Sequence, residues 1–156
     1  NGKYDVFYHN CTKCQHCVKV CPTGALTMDH QAYDEFQKGM AICTKEVLET
    51  FAPGAVHYIT FLTDITALCD CWGFTTPSLV PDIGVVASRD IVAIEKAAVD
   101  MIRIEDLLPS GIPVGKELSG DGHLFERLHG KDPYVQIGEL EKLGLGSQRY
   151  EIREIL

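Results

Sequence analysis

Polar and apolar positions along the chain fall into stretches of distinct period. Residues 5–9 (DVFYH) predict a short strand, and residues 25–28 predict a second after the Pro22-Thr23-Gly24 turn. From 31 to about 50 the period becomes helical. Tyr33, Phe36, Met40, Cys43 and Val47 recur at three- and four-residue steps, which places them on one face, and Pro53 with Gly54 ends the element. Residues 56–62 (VHYITFL) are β-branched and aromatic and predict a strand. Residues 63–76 are turn-like. Residues 78–87 (SLVPDIGVVA) form a nearly continuous apolar run, the pattern of a strand buried on both faces, with Pro81 marking its start or an interruption.

Ser88 or Asp90 can then cap a helix over 91–107, with Ile91, Ile94, Ala98, Met101 and Ile102 on its apolar face. Strand, short turn and long helix in that order resemble half of a βαβ unit. Residues 109–122 hold two prolines and four glycines and predict a loop or lid. A short helix follows over 134–143, closed by Gly144 and Gly146, and residues 150–155 alternate as an edge strand would. The expected architecture is α/β or α+β. A ferredoxin-like segment over 1–30 packs on a mixed sheet with flanking helices, contributed by 31–156.

Composition narrows the setting. The 156 residues are 46% hydrophobic and 23% charged, ordinary for one globular domain that can bury a core. The formal charge of −8 and the absence of a basic run argue against nucleic acid, and acidity suits docking on a basic partner. No apolar run reaches 18 residues, so no membrane span is expected, and neither a signal nor a transit peptide is evident. The chain opens on Asn1 rather than Met, as a processed product or a piece of a longer protein would.

The chemistry is concentrated in the cysteines. There are seven, four of them within residues 11–21, a crowding unlike a disulfide framework and suited to metal in a reducing cytoplasm. The segment CTKCQHCVKVCP places Cys11, Cys14, Cys17 and Cys21 in the spacing C-x2-C-x2-C-x3-C-P of bacterial ferredoxins. Two intervening residues let a tight loop offer thiolates to neighbouring irons, and its N–H groups can point at the cluster sulfurs. Structural zinc takes paired, separated C-x2-C units or Cys with His, and three cysteines at this spacing crowd a tetrahedral ion. One [4Fe–4S] cluster is therefore expected.

In two-cluster ferredoxins the cysteine before proline serves the other cluster, but here the motif occurs once. Cys21 either completes the first cluster or looks outward. Two all-cysteine cubanes need eight thiolates, so a second cluster within this chain requires another kind of ligand or an open iron. Cys69 and Cys71 flank Asp70 after a strand and are ligand candidates against the reading of two buried thiols. Cys43, on an apolar helix face, reads as a buried thiol. His16 lies within the cysteine loop; His9, His30, His57, His123 and His129 lack ligand spacing and read as surface or core histidines. Asp82 reads as a turn former, and no phosphate loop or nucleophile motif is present.

The stretch from ITFLTDITALCDCWGF to VVASRDIVAIEKAAVDMI, together with GLGSQRYEI, resembles the "Fe–S center proteins" of domain of unknown function 362. The resemblance implies that Cys69 and Cys71 belong to a family pattern. Ile91 stands where the family usually has proline, and the family's large N-terminal domain has no counterpart here. The resemblance names no reaction. The first functional expectation is electron transfer with a redox protein partner or with a missing N-terminal domain. An iron–sulfur enzyme, or a structural or sensing cluster, are the alternatives.

Overall fold

A computed structural model of the chain describes residues 16–27, 31–69 and 75–155. The architecture is α+β. A short helix α1 (His16–Lys19) is followed by the long α2 (Gln31–Leu48), strands β1 (Tyr58–Leu62) and β2 (Gly84–Ser88), then α3 (Ile91–Met101), α4 (Leu124–His129) and α5 (Tyr134–Lys142). β1 and β2 pair antiparallel, from Tyr58 opposite Ser88 to Leu62 opposite Gly84. The expected mixed sheet is thus an antiparallel pair among the described residues. None of their helices is long and apolar enough to cross a membrane. The strand expected over 5–9 lies outside the described residues.

Two apolar clusters hold the molecule together. The larger joins Leu62, Ala67, Leu79, Val80, Ala98, Ile102, Leu124 and Leu128, so the inner sheet face, the β1–β2 connection, α3 and α4 share one core. The smaller gathers Ala41, Val92, Ile137 and Leu140, where α2 and α3 meet α5. Asp90 caps α3: its Oδ1 accepts from Ala93 N at 2.9 Å and its Oδ2 from Ser147 N at 2.9 Å. That second bond ties the turn after α5 to the start of α3.

Several expectations are corrected. α2 forms as its period predicts, but of the expected face only Tyr33 is buried. Phe36 is 67% exposed, and Met40, Cys43 and Val47 are also exposed. The helix instead turns Ala41 inward, fully buried against α5. A small side chain lets two helices approach closely, and the 3.6-residue period cannot say which of two neighbouring stripes finds a partner.

The apolar run 78–87 is not one strand buried on both faces. Leu79 and Val80 enter the core as irregular chain, Pro81 separates them from β2, and Val85 is 56% exposed on the outer sheet face. Proline lacks the N–H a ladder needs. α3 stops at Met101 instead of continuing to 107. Ile102 leaves helical geometry and a 3₁₀ turn follows at Ile104–Asp106. Ile102, Ile104 and Leu107 all reach the larger cluster, which a continued helix, advancing about 100° per residue, could not arrange.

Residues 25–27 form no strand, and residues 150–155 join no ladder. Tyr150 is tethered by its hydroxyl to Asp100 Oδ2 at 2.7 Å, near the end of α3, so that segment follows the helix. The glycine-rich segment begins as a 3₁₀ turn, Pro109–Gly111, anchored in the core rather than hinged like a lid. A Cβ on Gly111 would lie 2.3 Å from the Ser78 carbonyl oxygen, so only glycine permits this approach.

Candidate functional site

The first group of candidate residues lies at the N-terminal end of the described chain. The single-turn helix α1 carries Cys17, which is exposed, and His16, also exposed. Val20 N donates to His16 O at 2.9 Å and Gly24 N to Cys21 O at 3.3 Å, so the chain reverses tightly around Cys21 and Pro22. This turn brings the Thr23 hydroxyl to the Cys21 sulfur. Thr23 Oγ1 lies 3.6 Å away, and the backbone N–H groups of Leu26, Thr23 and Ala25 also face it. The Thr23 hydroxyl first and these amides next lower the thiol to about 7, against burial.

Hydrogen bonds to the charged form favour it, so Cys21 is about half thiolate at neutral pH. A thiol whose charged form is favoured by its neighbours has the chemistry of a metal ligand, and at Cys21 it would suit an iron. Cys11 and Cys14 lie outside the described residues.

The second group falls between β1 and β2, where the structure describes Cys69. The connection begins and ends as a tightly bonded ribbon. Ile83 N donates to Leu62 O at 2.8 Å, Leu79 N donates to Ile65 O at 2.6 Å, and Thr66 bridges antiparallel to Ser78. Asp64 takes a left-handed conformation, φ 49°, and Asp82 Oδ1 accepts its N–H at 2.9 Å, so Asp82 is a turn former as its position suggests.

Further along, Ala67 N donates to Thr76 Oγ1 at 3.3 Å, joining the entering and leaving arms. Thr66 Oγ1 donates to Leu68 O at 2.8 Å. Cys69, the last described residue before 70–74, is exposed. Cys71, Asp70 and Trp72 lie outside the described residues.

Two histidines support this frame. His123 caps α4: its Nδ1 accepts from Phe125 N at 3.1 Å, which leaves Nε2–H to donate to Val99 O at 3.0 Å. His129, at the end of α4, reaches across 62 residues to hydrogen-bond the Ala67 carbonyl through Nε2. Its ring stacks on Phe125, centroids 6.5 Å apart. Burial, chiefly, lowers His129 to about 4, with Lys131 and Lys116 adding to the effect, so at neutral pH it is an uncharged donor to that carbonyl. No spacing in the sequence marks His129, since its partner is a backbone atom on a distant segment.

Among the described residues, no three His, Cys, Asp or Glu side chains converge into a group able to hold a metal. Cys17, Cys21 and Cys43 are thiols rather than disulfides. Cys43 is an exposed residue on α2, not the buried thiol its apolar neighbours suggested; it lines a shallow groove with Phe36, Met40 and Val47.

A family model described as Domain of unknown function (DUF362) matches residues 8–100. That span includes all seven cysteines, both β-strands and the capped start of α3. No curated protein and no solved structure matches the chain.

Proposed function

The chain belongs to the DUF362 family, and because that membership names no reaction, we propose from its own residues that it binds a [4Fe–4S] cluster and carries electrons between protein partners. Cys11, Cys14 and Cys17 hold three irons of one cluster. Cys21 is the first candidate for the fourth, with Cys69 and Cys71 as alternatives or as ligands of a second cluster. The observation that carries this reading is the Cys21 turn. Within C-x2-C-x2-C-x3-C-P, Thr23 Oγ1 lies 3.6 Å from the sulfur, and it and nearby backbone amides favour the thiolate.

When bound, the cluster would supply a site able to take up and give back one electron. The chain's own part is to hold deprotonated sulfur, direct N–H dipoles at it and so raise its potential relative to an unbonded thiolate site. The partner is a redox protein or an N-terminal domain, and a reducing cytoplasm suits the exposed thiols. Nucleic acid does not suit a chain of charge −8.

Anaerobically purified protein should contain about four irons and four acid-labile sulfides per chain for one cluster. About seven or eight of each would establish a second cluster, with Cys21, Cys69 and Cys71 its first suspects. Zinc without sulfide would overturn the reading.

A further inference from the structure

Among the described residues β2 has one strand neighbour, β1. In a strand paired on one side, the N–H and C=O of every second residue point toward the other edge. A cavity of about 620 Å³ lies against β2. All five β2 residues line it, Val85 of the outer face and Val86 of the inner face alike. Successive side chains point to opposite faces, so a wall that takes in every residue of a strand is its edge. Among the described residues none of β1 lines the cavity, which therefore follows the edge that β1 leaves free.

A second wall is apolar. Ala93, Ile94, Ala97 and Met101 fall on one stripe of α3, at three- and four-residue steps. The third wall is the C-terminal segment, whose residues 150–155 all line the cavity yet join no ladder. Its start is fixed by two bonds to α3 and its cap. Ser147 N donates to Asp90 Oδ2 at 2.9 Å, and the Tyr150 hydroxyl donates to Asp100 Oδ2 at 2.7 Å. Asp100 is held in turn by Lys96 and by the Tyr134 hydroxyl at 2.8 Å. The segment thus stands beside β2 without pairing to it.

We propose that this cavity docks an extended polypeptide segment of a protein partner, which adds as a strand to the free edge of β2. The inference needs no metal and stands apart from the cluster reading. In strand addition the main chain supplies affinity and alternate side chains settle in apolar pockets, and here both surfaces meet in one cavity. Five β2 residues offer about 17 Å of edge, enough for a segment of about five to seven residues. Ala93 and Ala97 leave room for small or β-branched side chains. The charge of −8 favours a basic segment.

The test titrates the isotope-labelled full chain with acetyl-KVTVTVK-amide, a capped peptide alternating valine and threonine between lysines, and follows it by nuclear magnetic resonance. Saturable binding below about 1 mM is expected. Shifts should concentrate in residues 84–88 and 150–155, with nuclear Overhauser contacts from the peptide backbone to β2. The same peptide N-methylated at every second residue loses donors and should bind at least about tenfold more weakly. Ala93→Leu, which fills the apolar wall, should weaken the unmodified peptide in a protein that keeps its wild-type spectrum elsewhere.

Absence of saturable binding would overturn the proposal, as would wild-type affinity in a folded Ala93→Leu protein. Shifts confined to the exposed apolar residues of α2 would do the same. If Ala93→Leu does not fold, the N-methylated peptide decides on the wild-type chain, where unchanged affinity overturns strand addition. Contacts between residues 150–155 and β2 in the peptide-free chain would also overturn it, because the chain's own segment would then fill the edge.

Discussion

The Cys21 sulfur shows how little chain is needed to favour a thiolate. Thr23 is two residues away, and the contributing amides lie within five. In protein stripped of metal, alkylation of Cys21 should reach half its maximal rate near pH 7. Thr23→Val removes the largest contribution, so the midpoint should move upward toward an ordinary thiol, as mass spectrometry of iodoacetamide adducts would show. Cys43 makes the opposite case. It is exposed on α2, so Cys43→Ala should keep bound iron and change unfolding free energy by no more than about 0.5 kcal/mol in urea. Cys14→Ala should lose most of its iron, as the spacing of the motif requires. Iron lost from the Cys43 variant or kept in the Cys14 variant would reverse the assignment.

At the scale of elements, local signals were read correctly where they sufficed. Asp90 before an apolar 3.6-residue pattern marks the start of α3, and the structure adds what a pattern cannot carry, the second carboxylate oxygen holding Ser147. Asp90→Ala should therefore cost about 1–2 kcal/mol from the lost cap, with a further contribution from the freed turn after α5. Asp90→Asn, retaining one acceptor oxygen, should fall between it and the wild type in chemical denaturation. The end of α3 was not legible. Nothing in RIEDLL forbids another turn of helix; only the shared burial of Ile102, Ile104 and Leu107 requires the chain to leave it. The strand expected over 78–87 fails similarly, because Leu79 and Val80 are apolar for the core and not for a ladder.

The molecule as a whole couples its core to acid. His129 is held to about 4 when folded and titrates near 6.5 when unfolded. Between these values the unfolded chain binds more protons, so stability rises with pH across the window. This contribution is complete above about pH 6.5 and is lost as pH falls toward 4. Melting temperature should accordingly fall between pH 7 and pH 5 more steeply in the wild type than in His129→Gln, measured by calorimetry on metal-free protein. Equal slopes would show that another group controls the acid response. The same histidine links α4 to the Cys69 arm, so its bond is tertiary in origin and in effect.

The sequence by itself determined the helical identity of α2, α3 and α5, the strand β1, a cap at Ser88 or Asp90 and the turn over residues 22–24. Each depends on spacings of a few residues, over which chain geometry alone decides what can meet. Tertiary structure decided which stripe of α2 is buried, that β1 pairs antiparallel with β2, that Cys43 faces outward and that His129 braces Ala67. Those outcomes depend on which surfaces approach one another. A residue 62 positions away can supply a hydrogen bond to backbone without leaving any mark in the local pattern.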